Sequence, residues 1–299
     1  MAPVIIEVAV NGPSRISGNP HFPRTAKEIS GDAIACLEAG ASIVHNHIDQ
    51  RLSGEACAER YAEVYRPILA AQPDAILCCG LGGAVEEPDI AECYAHVEPL
   101  ARLGMRMAIA DPGSMNFNIS DAPDGTPQGT TVYRNSYDDT RYFMELLDRC
   151  RLGPSLSIFE PSFLRATIGY HRAGKLPRGA LVKLYFGGDY SPFTRERSNT
   201  TFGLPPTRKA LEAYLEMLED VDLPWGVAVI GGDVLESGMA QMAIERGGHV
   251  RVGLEDYAGP DTPGNVEMVR KVAEMARASG RRVATPAQAR QILAIPDAE

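Results

Sequence analysis

TAKEISGDAIACLEAGASIVHNH, residues 25–47, contains one complete passage from helix to strand. Thr25 and Glu28 have the T-x-x-E spacing of a capping box, and Gly40 stands where the helix they begin would stop. The short run SIVHNH at 42–47 then reads as a buried strand. The same alternation extends in both directions. VIIEVAV (4–10) precedes the helix, and a second helical pattern from about Ala56 to Ala71 follows the strand. AILCC (75–79), RMAIA (106–110), LSIFE (156–160), LVKLYF (181–186), GVAVIG (226–231) and HVRVGL (249–254) come next, each with helical pattern behind it.

Eight such units predict an α/β chain folded as a (β/α)8 TIM barrel, a single domain over residues 1–299. A doubly wound open sheet is the alternative, but no G-x-G-x-x-G follows the first strand. Two connections stand out by length, after strand four (about 111–139) and after strand six (about 187–206). In a barrel both lie over the C-terminal face, where functional groups collect.

Composition narrows the function. Lysine and arginine number 29 against 39 acidic residues, a formal charge of −10, and no basic run is present, so nucleic acid is not an expected partner. The N-terminal apolar run has no basic region before it and is interrupted by Glu7, and no apolar stretch is long enough to span a membrane. Six cysteines without C-x-x-C spacing suit a reducing compartment, and the expected location is cytoplasmic.

The chemistry gathers at a few positions. His45 and His47 are two apart, so on a strand their imidazoles share a face, as two ligands of one metal ion would. Buried, hydrogen-bonded imidazoles are the alternative. Strand eight is separated from strand two by strand one alone. Glu255, sharing parity with Arg251 and Gly253, is expected to point to the same interior and supply a third ligand. Its alternative is an acidic strand end or helix cap.

Two histidines and a carboxylate with an open position form a catalytic zinc arrangement, though Fe(II) and Mn(II) suit the set as well. Arg251 would place a cation beside developing negative charge, with Asp256 orienting it or acting as a base. A structural ion pair at the barrel rim is the other reading. Glu7 is either a partner of a ligating histidine or a bottom-layer residue. Glu160, in FEPS, is a candidate for substrate contact. Arg195 and Arg197 are candidates for CoA phosphates or parts of a solvated loop, and Gly231 and Gly232 suggest phosphate binding. His21, His96, His171 and His249 are assigned to surface or packing.

Together these residues resemble the β-keto acid cleavage enzymes, named for the 3-keto-5-aminohexanoate cleavage enzyme of lysine fermentation. The resemblance rests on VNG near the start, EAGASIVHNH, GGAV (82–85), GSMNF (113–117), GGHVRVGLED (247–256) and ATPAQARQIL (284–293). It implies a TIM barrel in a homotetramer, with one Zn2+ per chain on His45, His47 and Glu255. It further implies acetyl-CoA as co-substrate and an Asp256-activated Arg251 that helps form an enolate. A β-keto acid and acetyl-CoA would then give acetoacetate and an acyl-CoA.

The chain departs from the family where substrate is recognised. Asp49 stands where members often carry Arg, and Ser14 stands where the amino-acid-cleaving member has Glu. Gly80 and Ile109 replace hydroxyl residues that help hold the keto acid. Gly83 and Ser114 remain as candidates for substrate binding beside Ser14 and Glu160; turn chemistry is their alternative. The alternative functions are a metal-dependent aldolase or C–C hydrolase without CoA, and a non-catalytic metabolite-binding barrel.

Overall fold

The structure, a computed structural model, describes residues 1–12, 18–49, 51–83 and 89–297. Eight parallel strands form a closed barrel: β1 Ile6–Ala9, β2 Ile43–Asn46, β3 Ile76–Cys79, β4 Met107–Ala110, β5 Gly153–Ile158, β6 Leu181–Gly187, β7 Trp225–Ile230 and β8 His249–Val252. β8 closes onto β1, with Glu7 in register with Arg251. That pairing excludes the open doubly wound sheet, and the fold is the expected TIM barrel.

Helices cover the outside: α1 Ala26–Ala39, α2 Gly54–Ala71, α3 Ile90–Tyr94, α4 Val97–Leu103, α5 Tyr137–Arg149, α6 Pro161–Arg172, α7 Arg208–Met217, α8 Met239–Glu245, α9 Asn265–Ala278 and α10 Pro286–Leu293. α1 begins as its sequence predicts. Thr25 Oγ1 accepts from the Glu28 amide at 3.2 Å, and Glu28 Oε2 accepts from the Thr25 amide at 2.9 Å. It ends at Gly40, whose φ of +123° lies where side-chain-bearing residues are strained.

Strand alternation divides the apolar side chains into two clusters. One packs strands against helices. The other lies inside the barrel, where Ile5, Ile43, Ile76, Met107 and Leu181 form a lower layer. Ala284, Ala289, Leu293 and Ile295, from α10 and its flanks, join that cluster. Two residues further along the strands the inward positions turn polar: Glu7, His45, Lys183 and Arg251, all buried. The barrel is therefore sealed by hydrocarbon below and charged above.

The two long connections are joined over the C-terminal face. Residues 115–116 pair with 132–133, and 120–121 with 127–128, in short antiparallel ladders. Asp121 accepts from the Ser198 hydroxyl at 2.8 Å and the Asn199 amide at 2.7 Å. Phe117 packs edge-on against Phe159, Phe193 and Phe202. Among the described residues, no helix is long and apolar enough to cross a membrane.

Candidate active site and metal centre

His45 occupies β2, and His47 follows one residue beyond the strand's end with its side chain still inward. His45 Nδ1 lies 3.1 Å from the Cys78 carbonyl oxygen, which can only accept. The ring proton therefore sits on Nδ1, and Nε2 keeps its lone pair. That nitrogen is 3.1 Å from His47 Nε2 and 3.2 Å from Glu255 Oε2, while His47 Nε2 is 3.0 Å from Glu255 Oε1. Burial pushes the His45 imidazole down to about 4, so it is neutral near pH 7.

Glu255 reaches this cluster by a route that differs from the expected parity. β8 ends at Val252, and Gly253, with φ +144°, turns the chain sharply. The Glu255 amide then donates to the Ala9 carbonyl at 3.2 Å, fixing the turn against β1. A Cβ on Gly253 would lie 2.2 Å from that carbonyl oxygen, so the turn requires glycine.

The ligand atoms of His45, His47 and Glu255 all fall within 4.8 Å of one another. The residues fit a divalent cation on two further observations. Glu255 Oε2 is buried without an aligned hydrogen-bond donor, although Arg251 Nη2 approaches to 2.9 Å. The second is the convergence of acceptors: His45 Nε2, its lone pair fixed by the Nδ1 bond to Cys78, lies beside His47 Nε2 and the Glu255 carboxylate, a set that a cation satisfies.

Arg251 is the hub of the charged layer. Its Nε donates to Asp256 Oδ2 at 2.8 Å and its Nη2 to Asp256 Oδ1 at 3.1 Å, a bidentate pair. Its Nη1 donates to Glu7 Oε1 at 2.7 Å, and its guanidinium lies 5.5 Å from the Tyr185 ring centre. Burial works against Glu7 ionising, but Lys183 and Arg251 outweigh it and hold its carboxyl at about 2. Burial raises the Asp256 carboxyl against the pull of Arg251, while for Glu255 burial is outweighed and the adjacent Arg251 guanidinium holds the carboxyl well below the carboxylate range.

Several expectations change. Glu7 is neither a histidine partner nor a solvated bottom residue, because its carboxylate bridges Arg251 and Lys183 across the barrel. Glu160 lies beyond β5, at the N-cap of α6. Arg195 is not in a solvated loop: its Nη2 donates to the Glu255 carbonyl at 2.8 Å, which ties the loop after β6 to the ligand turn. Arg197 is exposed and pairs with Asp189. Gly231 donates its amide to the Asp256 carbonyl at 2.8 Å, so it braces the same turn instead of facing a phosphate.

The candidate substrate residues lie in loops beyond the strands or at the start of a helix. Gly83 donates its amide to the Leu52 carbonyl at 2.8 Å. Ser114 is exposed, and its hydroxyl exchanges 3.0 Å bonds with the Asn135 backbone. Ser114 and Glu160 both line a cavity beside Phe117 and Gly203. Ser14 lies outside the described residues. Asp49 accepts from Arg51 Nε at 2.9 Å. His96 is buried, donating from Nε2 to the Gly80 carbonyl at 3.0 Å, and His249 Nδ1 accepts from the Ile5 amide at 3.0 Å.

Sequence reasoning passed over Lys183, Asp111 and Ser157. A signal existed for the first, since Lys183 interrupts an apolar strand at inward parity. Asp111 and Ser157 carry no comparable signal. They become visible only when β4, β5 and β6 are laid side by side.

A family model described as beta-keto acid cleavage enzyme matches residues 3–295. The 3-oxoadipate:acetyl-CoA acetyltransferase of Cupriavidus necator is 30% identical over 309 aligned positions, covering 99% of this chain and 96% of that protein. The 3-keto-5-aminohexanoate cleavage enzyme of Fusobacterium nucleatum is 28% identical, covering 93% and 92% respectively. Among solved structures, a ternary complex of ObcA with C4-CoA adduct and oxalate superposes with a TM-score of 0.66 at 18% identity. It covers 92% of this chain and 68% of that one, a likeness of fold.

Proposed function

The chain belongs to the β-keto acid cleavage enzyme family, and on that premise we propose that it is a zinc-dependent transferase that turns a β-keto acid and acetyl-CoA into acetoacetate and a new acyl-CoA. The observation that carries this reading is the Asp256–Arg251 pair set directly against the cluster of His45, His47 and Glu255. His45, His47 and Glu255 would hold the ion, which when bound supplies a Lewis acid beside the keto group.

The chain's own residues account for the rest. Arg251 presents a fixed positive charge next to the ligand set, where negative charge develops as C2 of the keto acid loses a proton. Asp256 holds the guanidinium in plane and is the base of the pair. The C2 carbanion forms a bond to the acetyl carbon, and CoA leaves as thiolate. The thiolate then attacks the original keto carbon, the C2–C3 bond breaks, and the proton returns to C2. Acetoacetate and the acyl-CoA are released with all atoms conserved.

The barrel is read as one functional unit over residues 1–299, assembled as a homotetramer in the cytoplasm. Six cysteines without a disulfide among them support a reducing compartment. Metal analysis of the purified protein tests the zinc assignment. One zinc per chain is expected, and about none in His47→Ala. Wild-type protein that binds no divalent ion after incubation with zinc would overturn it.

A further inference from the structure

The residues that close β1 lie against every segment that carries a candidate metal ligand. Val10 donates its amide to the His45 carbonyl at 3.0 Å, and Ala9 accepts from the Glu255 amide at 3.2 Å. Asn11, itself buried, grips His47 at two points: its Oδ1 accepts from the His47 amide at 2.9 Å, and its Nδ2 donates to the His47 carbonyl at 3.1 Å. Gly12 comes next. A Cβ there would lie 2.9 Å from Glu255 Cγ, so that side chain passes directly over bare backbone.

A second buried amide ties the turn after β8 to the same place. Asn265 opens α9, and its Oδ1 accepts from the Leu254 amide at 2.9 Å while its Nδ2 donates to the Val10 carbonyl at 2.8 Å and to Asp32 Oδ2. These bonds use the amide oxygen and both amide hydrogens, which fixes the way the group faces. Asn11 is fixed by the same reasoning, because exchanging its O and N would set oxygen against carbonyl and N–H against N–H. Leu254 stands between the Gly253 turn and Glu255, so its bond to Asn265 anchors the arm that carries the third ligand.

Resting on the metal assignment but not on the reaction, we infer that Asn11 and Asn265 are positioning residues for the metal centre, Asn11 acting through His47 and Asn265 through Glu255. Both ligands lie beyond the ends of their strands, where the barrel ladder no longer fixes the backbone. His45, inside β2, has that ladder and needs no such support. At the other two positions a side-chain amide supplies the donor and acceptor that a neighbouring strand would otherwise supply. The two-point contact sets the His47 peptides, and with them the direction in which the imidazole leaves the chain. Each asparagine is expected to be worth what a partner that orients a ligand is worth, about 10- to 100-fold in metal affinity.

Zinc competition and X-ray absorption on the purified protein test this without any turnover. Asn11→Ala and Asn265→Ala should each weaken zinc binding by about 10- to 100-fold. At saturating zinc the two should differ: Asn11→Ala loses imidazole scattering, whereas Asn265→Ala keeps the signal of both rings. Unchanged affinity in either variant, or imidazole scattering altered alike in the two, overturns the inference. Should a variant not fold, hydrogen exchange of the wild-type protein decides. Zinc should slow exchange at the His47 and Leu254 amides, the donors to the two asparagines, and rates unchanged by zinc overturn the inference. Wild-type protein that binds no zinc overturns the metal assignment and the inference with it, while failure to make acetoacetate overturns the transferase reading alone.

Discussion

The imidazole of His47 occupies the space in which a side chain at residue 80 would begin. A Cβ on Gly80 would lie 2.4 Å from His47 Cε1 and 2.5 Å from Nδ1, inside any real contact distance. Glycine at position 80 therefore does more than leave out a hydroxyl. It makes room for the position of the second histidine in this chain.

Gly80→Ser should push His47 out of line with His45 and Glu255. A clash that misorients a ligand should cost about as much as losing the partner that orients it, about 10- to 100-fold in metal affinity. Zinc competition against a chromophoric chelator measures this. Unchanged affinity would mean that the His47 ring can rotate away at no cost.

Gly253→Ala addresses the other end of the site. The substitution strains the turn at φ +144° and drives a methyl into the Ala9 carbonyl, so Glu255 is expected to leave the cluster. Metal content should drop while the circular dichroism of the barrel is retained. Stoichiometric zinc in this variant would contradict the placement of Glu255.

The Arg251–Asp256 pair separates chemistry from stability. Asp256→Asn keeps a hydrogen-bond acceptor for Arg251 but removes the base, and kcat should fall by about 10²- to 10⁴-fold with zinc content unchanged. Arg251→Met leaves Asp256 buried without its cation and Glu7 with Lys183 alone. Denaturant unfolding should show a loss of about 3–5 kcal/mol. Equal stability to wild type would show that the charged layer is hydrated.

Acid should destabilise the fold through His249. Burial lowers its imidazole from 6.5 to about 3, and His96 behaves alike, lowered to about 4. The neutral forms are favoured on folding, so their contribution is complete above pH 6.5 and is lost as pH falls from 6.5 towards 4 and 3. His249→Asn retains an acceptor for the Ile5 amide and removes one titrating group. Its unfolding midpoint should fall less steeply than wild type between pH 7 and 5, and parallel slopes would refute the assignment.

Much of this molecule is legible in its residues, and the reasons are local. The α1 capping box, Gly40 and the short apolar runs specify units whose closure into a barrel follows from their number. His45 and His47 are readable because alternation on one strand fixes their relative direction. Glu255 is delivered by the Gly253 turn and not by strand parity, so alternation along β8 does not encode its direction. Glu7 with Lys183, and Gly80 with His47, depend on contacts between separate strands. No periodicity within one segment encodes which side chains meet across a barrel.

The most direct test of the account supplies zinc-loaded protein with acetyl-CoA labelled in its acetyl group and a panel of β-keto acids. Mass spectrometry should find the label in acetoacetate together with a new acyl-CoA built from the keto acid, and both should be absent with His47→Ala. Cleavage of the keto acid while acetyl-CoA remains intact would contradict the transfer reaction.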